Sequence, residues 1–250
     1  MKNAVKYHFS DFTRRNYRRL LKLAKSTYVD RGFRTFCESE RFILWRHDVD
    51  FSPQSARKIS IIESEEGIRT TYFLLLHSTF YNLLEKDVTD CIRDIIARGH
   101  FIGLHFDPQY YDLTCEEELR RKLTVERKIL ENLFNVDVRV FSFHISTPFA
   151  MACKRYQYAG LVNATADFFR RRVGYCSDSN GYWRFKRLEN VLQDAEEYCL
   201  QVLTHPEMWQ DRVMSPKERV RRCIQGRADS TRRWYEAILR EHGRQDVDWE

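Results

Sequence analysis

Short apolar runs alternate with longer segments of helical periodicity along most of the chain. The runs are bounded by charged or turn-forming residues, which is typical of strands buried on both faces. The segments between them carry apolar residues every three or four positions, and two of them end at a glycine, as helices commonly do. This alternation predicts βαβ units built around a parallel sheet.

The pattern predicts six strands and seven helices. The strands are expected at residues 42–50, 69–76, 101–107, 138–144, 161–167 and 198–205. The helices are expected at about residues 10–26, 53–67, 83–98, 115–134, 148–158, 190–197 and 216–242. Ser10 or Asp11 is the expected cap of the first helix, residues 168–172 are expected in a solvated loop, and Ser179-Asn180-Gly181 in a turn. With no repeats or long linkers, we predict a single domain over residues 1–250.

The stretch FILWRHDVDFSP, residues 42–53, places charged side chains at the end of the first predicted strand. Asp48 and Asp50 are two residues apart, so in an extended chain they share one face. Two carboxylates in one cleft suit a cation or a general base. An Asp-x-Asp at a strand end is also compatible with a helix cap or a partner for a nearby arginine.

Histidine ends or closely follows three later strands, at His105, His144 and His205. The carboxyl ends of parallel strands meet at one edge of a sheet, where active sites of α/β folds are found. Any one of these histidines could be a core or capping residue. Together with the two aspartates they form the ligand set of a catalytic divalent metal, most naturally Zn²⁺.

Five blocks in fixed order carry a family resemblance: HDVD, GHFIGLHFD, FSFH, SDSNGYWR and LTHPEMW. They resemble the polysaccharide deacetylases of the NodB-homology type, carbohydrate esterase family 4. More particularly, they resemble the divergent branch encoded in bacterial surface-polysaccharide (O-antigen) loci, which implies a role in lipopolysaccharide biosynthesis. The resemblance covers about residues 40–210. It implies an irregular (β/α) barrel with mostly parallel strands, flanked here by N- and C-terminal helices.

The same resemblance implies an activity. It is the metal-dependent hydrolysis of an N-acyl group, acetyl or formyl, on an amino sugar, so the enzyme is a hydrolase of C–N bonds other than peptide bonds. Block by block, Asp48 matches the general base, Asp50 a metal ligand, His105 the first metal histidine and His205 the general acid. Three residues of the fourth block match supporting or substrate-binding positions: Asp178, which tunes the catalytic pair, Trp183, which lines the sugar site, and Arg184.

This chain also departs from the family pattern. Val49 separates the two aspartates, the second metal histidine is replaced by Gln109, and the arginine of the third block is missing. The third metal ligand is therefore open. His144 is the first choice, Asp107 the second, and Gln109 a weak oxygen donor. Without a third ligand, the protein would be a non-catalytic carbohydrate-binding barrel. A hydrolase of another non-peptide C–N bond is the alternative within enzymes.

Composition narrows the partners and the compartment. The net charge is +6, but the 42 basic residues are scattered among 36 acidic ones, which disfavours a nucleic-acid binder. Binding of nucleic acid would require the basic clusters at residues 14–22, 170–172 and 219–222 to share a face. The seven cysteines show no CxxC spacing and indicate reduced thiols. No segment resembles a signal peptide or a transmembrane span, so we expect a cytoplasmic protein acting on a small-molecule, nucleotide-linked or lipid-linked amino sugar.

Overall fold

A nine-stranded sheet is the centre of the computed structural model, which describes residues 2–245 and 247. The strands are β1 (Val29–Asp30), β2 (Phe42–Val49), β3 (Thr71–Leu75), β4 (Phe101–Phe106), β5 (Val140–Phe143), β6 (Gln157–Tyr158), β7 (Leu161–Asn163), β8 (Gly174–Ser177) and β9 (Leu200–Thr204). The helices are α1 (Lys2–Lys6), α2 (Arg14–Lys25), α3 (Pro53–Glu65), α4 (Lys86–Ala97), α5 (Glu116–Phe134), α6 (Pro148–Ala152), α7 (Asp167–Arg172), α8 (Leu188–Asp194) and α9 (Pro216–Glu241).

The strand order is β6-β7-β5-β4-β3-β2-β9-β8, with β1 beside the start of β2. Every pair is parallel except β6 with β7, a short antiparallel pair at one end of the sheet. Parallel pairing requires each connection to cross back to the start of the next strand, and helices such as α3, α4 and α5 make these crossings. The carboxyl ends of β2, β3, β4, β5 and β9 therefore lie along one edge.

The sheet is rolled up, and one hydrogen bond demonstrates it. Gln201 Nε2, on β9, donates to the carbonyl oxygen of Ala164, just after β7, at 3.1 Å. β7 and β9 are five strand spacings apart in the sheet order, and in a flat sheet that distance would be roughly 24 Å. The curl brings the two together across the interior. The predicted fold class, an irregular (β/α) barrel with mostly parallel strands, is confirmed.

The side chains of β2 alternate between the interior of the barrel and the helices outside. Phe42 and Leu44 join an apolar cluster that also contains Phe73 of β3 and residues of β5 and β7, which places them inside. Trp45 instead packs against α2 on the outer side. By the same alternation, Asp48 faces inward at the carboxyl end of the strand. The core of the barrel thus holds the aspartate rigidly at the edge where the strands end.

Most predicted elements exist with slightly shorter bounds, and four predictions need correction. The cap of α2 is Thr13, whose Oγ1 accepts from the backbone N–H of Asn16 at 3.2 Å; Ser10 and Asp11 lie in a 3₁₀ turn before it. The helix expected at 148–158 ends at Ala152 and is followed by β6. The strand expected at 161–167 ends at Asn163. Residues 168–172 are helical, within α7, because an apolar side of Phe168 and Phe169 packs inward.

The sequence pattern did not predict the helix α1 or the strands β1 and β8. β1 has two residues and α1 has five, too few for a periodic pattern to form. Among the described residues, no helix combines the length and apolar content that a membrane span requires.

Candidate active site

Three possible metal ligands converge at the carboxyl edge of the sheet. They are Asp50, His105 and His144, and this group of side chains is called the metal cluster below. Asp50 directly follows the end of β2, His105 lies near the end of β4, and His144 follows β5. His105 Nε2 is 3.2 Å from Asp50 Oδ1, His144 Nδ1 is 3.5 Å from the same oxygen, and the two ring nitrogens are 3.3 Å apart. One donor atom from each residue lies within 4.8 Å of the others. A carboxylate and two imidazoles in this arrangement can hold a divalent cation.

His105 is oriented by a neighbour on β5. Its Nδ1 lies 2.8 Å from Ser142 Oγ, directly across the ladder from His105. That hydrogen bond occupies Nδ1 and leaves Nε2 directed at Asp50. Hydrogen bonding to the far nitrogen is how metal-binding histidines are usually fixed in ring orientation and tautomer.

Asp50 supplies the test of whether a cation fits. Its Oδ1 is buried and accepts no hydrogen bond from the described residues, although two imidazole nitrogens lie close to it. Burial alone would raise the pKa of Asp50, but its close contacts with the imidazoles of His105 and His144, together with the charges of His105 and His205, hold it well below its ordinary value. An ionised, buried and incompletely partnered carboxylate oxygen is costly unless a cation or donor reaches it. The donor set therefore fits a divalent metal, and borderline ligands of this kind are typical of Zn²⁺.

The candidates for the third ligand, His144, Asp107 and Gln109, differ in position. His144 is in the group of converging donors, whereas Asp107 is not. Asp107 Oδ1 instead accepts from the backbone N–H of Gln109 at 2.9 Å, which stabilises the turn after β4, and Gln109 is exposed. His144 has a pKa above its ordinary value, since the carboxylate of Asp50 outweighs the effect of partial burial.

Asp48 is buried beside the metal cluster and is paired with an arginine. Its Oδ2 lies 3.1 Å from Arg46 Nη2 and 3.6 Å from His105 Nε2, while Oδ1 has no hydrogen-bond partner among the described residues. The guanidinium of Arg46 lies over the Phe73 ring at 5.2 Å. A Cβ at Gly103 would stand 2.7 Å from that ring, so the glycine leaves the space that the ring occupies. Asp48 is thus a carboxylate with one oxygen paired to Arg46 and the other without a hydrogen-bond partner among the described residues.

His205 is paired with the buried carboxylate of Asp178. His205 Nδ1 lies 2.6 Å from Asp178 Oδ1, and its Nε2 lies 3.7 Å from Asp50 Oδ2. Asp178 is fully buried and also accepts from Trp209 Nε1 at 3.0 Å. Burial alone would lower the pKa of His205, but the charge and hydrogen bond of Asp178 raise it to about 10. His205 is therefore a protonated imidazolium at neutral pH, with Nε2 directed towards the cluster.

Trp183 and Arg184 are not brought to this cluster. Trp183 is buried, donates its indole N–H to Asp11 Oδ2 at 2.9 Å and stacks on Phe12 at 5.1 Å. Arg184 is exposed and lies over the Phe185 ring. No hydrogen bond, ion pair or ring contact within the described residues joins either side chain to the metal cluster. These contacts favour a packing role for Trp183 and do not support its predicted place beside a sugar.

Sequence reasoning missed three residues near the site. Arg46 and Ser142 each stand two positions before a site residue, Asp48 and His144, so the period of two could have placed them on the same faces. Glu207 follows His205 by two positions, and both its carboxylate oxygens are buried without a partner among the described residues. Burial raises the pKa of Glu207 well above its ordinary value, and the charge of His205 offsets only part of that effect.

Comparison with known proteins adds structural neighbours but no sequence family. No family model matches the chain, and no curated protein matches it. The chain is similar to the peptidoglycan deacetylase PdaC from Bacillus subtilis, with a TM-score of 0.46 and 12% identity over 82% of this chain and 99% of that one. It is also similar to a family 4 carbohydrate esterase from Bacillus anthracis, with a TM-score of 0.44 and 18% identity over 92% of this chain and 87% of that one.

A third neighbour is a mutant of a CE4 family pseudoenzyme from Bacillus anthracis with restored enzymatic activity. The TM-score is 0.44 and the identity is 13%, and the match covers 78% of this chain and 65% of that one. At such identities, the roles of individual residues depend on the geometry of this chain alone.

Proposed function

We propose that the protein is a metal-dependent carbohydrate N-deacylase that removes an acetyl or formyl group from an amino sugar. The observation that carries the proposal is the convergence of Asp50, His105 and His144. Two groups suited to proton transfer lie beside them, the carboxylate of Asp48 and the imidazolium of His205. A metal centre flanked by a carboxylate with a free oxygen and by an imidazolium is suited to the hydrolysis of an amide. In this proposal, Asp178 is the residue that keeps His205 protonated.

The metal would be held by Asp50, His105 and His144, and when bound it would polarise the amide carbonyl and activate water as a nucleophile. Asp48 takes the proton of the attacking water at Oδ1, the oxygen that has no other partner. His205 donates its Nε2 proton to the departing nitrogen, because an amide cannot expel an unprotonated amine near pH 7. Asp178 stabilises the imidazolium until that transfer, and the products are a carboxylate and an amino sugar.

The finer identity of the substrate is also part of the proposal. We infer a precursor of a bacterial surface glycan, nucleotide-linked or lipid-linked, as the resemblance to the O-antigen branch implies, and a cytoplasmic site of action. The compartment is supported by the cysteines: all seven are free thiols, and four of them are buried in the core. Free thiols in this number are typical of proteins that fold in a reducing compartment.

The direct test combines metal analysis with hydrolysis. The purified protein is stripped, reloaded with Zn²⁺ and assayed for release of acetate and formate from N-acyl amino sugars. Asp48→Asn should retain the metal and lose turnover by about 10²-fold or more. The exposed Asp194→Asn on α8 is the matched control and should behave as the parent. An active Asp48→Asn variant would remove Asp48 from the base role.

Two outcomes would replace the proposal. A protein that binds sugar but takes up no metal is the non-catalytic carbohydrate-binding barrel. A zinc-loaded protein that ignores N-acyl sugars but hydrolyses linear or cyclic amides is the alternative hydrolase of non-peptide C–N bonds.

A further inference from the structure

A cavity of about 360 Å³ lies outside the barrel wall, at the edge where the candidate site is found. It is enclosed by the start of α3, the segment before α4 and the middle of α9. Phe51, the residue directly after Asp50, forms part of its wall, so the cavity begins one residue, about 3.8 Å along the backbone, from a proposed metal ligand. A second link is Ser78, whose Oγ donates to the backbone oxygen of Asp50 at 3.0 Å, two residues before the wall residue Phe80. The cavity and the site are therefore neighbours on one rim.

The lining of the cavity is predominantly cationic. Four basic side chains face two carboxylates there: Lys58, Arg222, Arg227 and Arg233 against Glu85 and Asp87. The pair Arg227 and Glu85 neutralises itself through a salt bridge. Three cations and one carboxylate remain, so the unpaired charge of the lining is positive.

The three remaining cations are not used by the fold. Lys58, Arg222 and Arg233 are exposed and take part in no hydrogen bond or ion pair within the described part of the chain. Asp211, whose pKa is lowered chiefly by its hydrogen bond with Arg14 and also by the charges of Lys58 and Arg222, is already paired with Arg14. Three cations without an ion pair, on two separate helices, α3 and α9, line one cavity, where a bound anion would reduce the repulsion between them.

The backbone supplies a further preference for an anion. Ser52 is the cap of α3, and the cavity is lined by Ser52, Ser55 and Lys58 from the first turns of this thirteen-residue helix. The N-terminus of a helix carries a partial positive charge and favours phosphate groups. No acidic residue lies in the first turn of α3 to cancel that charge.

We propose that this cavity binds the phosphate or diphosphate group of the substrate, so that the amino sugar is deacylated as a phosphorylated or diphosphate-linked precursor. The inference rests on the proposed function, because it assigns the carrier group of that substrate. Lys58, Arg222 and Arg233 would contact the phosphate oxygens, with the sugar extending over Phe51 to the metal cluster. A neutral polymer would leave these three cations unpartnered, which makes a charged precursor the better match.

Binding is tested first without turnover. The zinc-loaded protein is titrated with inorganic pyrophosphate by calorimetry at low ionic strength. Lys58→Gln, Arg222→Gln and Arg233→Gln should each weaken binding about two- to fivefold, and the triple variant about ten- to a hundredfold. Lys128→Gln, an exposed lysine on α5, is the matched control and should bind as the parent does. No binding by the parent, or equal binding by the parent and the triple variant, would overturn the inference.

Competition identifies the carrier. Displacement of pyrophosphate by a nucleoside diphosphate but not by a prenyl diphosphate supports a nucleotide-linked substrate, and the reverse result supports a lipid-linked one.

Hydrolysis then separates this inference from the proposed function. The parent should show at least a tenfold higher kcat/KM for an N-acyl amino sugar phosphate than for the neutral sugar, and the triple variant should lose that advantage. Equal hydrolysis of both by the parent overturns the phosphate site alone, whereas hydrolysis of neither overturns the proposed function.

Discussion

His205 and Asp178 are joined by two kinds of contact, one through the side chain and one through the backbone. The imidazole Nδ1 lies 2.6 Å from Asp178 Oδ1, and the backbone N–H of His205 lies 3.1 Å from both carboxylate oxygens. One buried carboxylate therefore fixes the position of the residue as well as its protonation state. Because β8 and β9 are paired neighbours, the partners come from the ends of adjacent strands.

Asp178→Asn tests this relationship, since it keeps the shape of the side chain and removes its charge. The pKa of His205 should fall from about 10 towards the ordinary histidine value of about 6.5. A general acid must be protonated, so the alkaline limb of the pH–rate profile should move to lower pH. At pH 8 a pKa of about 6.5 leaves about one imidazole in thirty protonated, so we expect kcat to fall about 30-fold with zinc content unchanged.

The pKa of His205 is measured by NMR of its imidazole, with kcat measured on the same samples. Asp194→Asn on the exposed side of α8 is the control for a neutralised aspartate. An Asp178→Asn variant with the parental His205 pKa and pH profile would show that Asp178 has no part in setting the acid.

His144→Ala distinguishes the third ligand from the alternative at Gln109. His144 Nδ1 lies 3.3 Å from His105 Nε2, whereas Gln109 is exposed, so the first substitution should remove most of the bound zinc and Gln109→Ala should remove none. Zinc is measured by elemental analysis after dialysis, and circular dichroism checks that both variants are folded. The opposite pattern of zinc loss would assign the third ligand to Gln109.

Metal affinity should also depend on pH in a definite direction. The pKa of His144 lies above its ordinary value, and a protonated imidazole cannot bind a metal. Zinc affinity, measured by competition with a chelator, should therefore rise as pH increases from 6 to 8. A flat affinity over this range would argue against an imidazole ligand with a raised pKa.

Ser142→Ala tests the hydrogen bond that orients His105. The hydroxyl lies 2.8 Å from His105 Nδ1, and loss of such a supporting contact should weaken zinc binding about ten- to a hundredfold. Ser177→Ala, on β8, removes a hydroxyl whose contact is with Ser179, and serves as the control. Unchanged affinity in Ser142→Ala would mean that packing alone holds the ring.

The position of Asp50, His105 and His144 at one edge of the sheet could be predicted because strand ends are visible in a linear pattern. Asp50, His105 and His144 each follow an apolar run, and parallel pairing necessarily brings such ends to one edge. The residues that hydrogen-bond to the site side chains are harder to predict from the sequence. That Ser142 meets His105 depends on the register of β4 and β5, and that Asp178 meets His205 depends on β8, a strand with a weak pattern.

The errors of sequence reasoning have physical causes as well. The spacing of apolar residues in the sequence cannot show whether an aromatic side chain faces a ligand or packs inside the protein. Trp183, predicted beside a sugar, donates a hydrogen bond to Asp11 in the N-terminal segment. Short elements also escape detection, because two residues of β6 or β1 contain no period. For this reason the sequence pattern predicts a helix that continues through residues 157–158, where the structure has the antiparallel strand β6.

Glu63, on α3, provides a stability prediction independent of catalysis. Its buried carboxylate accepts from Tyr17 at 2.6 Å, Tyr72 at 2.5 Å and Thr70 at 2.9 Å, and lies 2.7 Å from His47 Nε2. His47 therefore faces the outer helices and not the metal cluster. Burial alone would raise the pKa of Glu63, but these partners, His47 above all, lower it.

Because the folded-state pKa of Glu63 is below the unfolded value of about 4.3, its stabilisation is complete above that value and is lost as pH falls through the folded-state pKa. Glu63→Gln should lower the free energy of unfolding at pH 7 by about 3–5 kcal/mol and make stability less sensitive to acid between about pH 5 and 3. Urea unfolding at several pH values measures both effects. Glu65→Gln, an exposed neighbour paired with Arg18, should change stability by no more than about 1 kcal/mol. If Glu63→Gln retained the parental acid sensitivity, the buried carboxylate would not be the group whose protonation destabilises the fold.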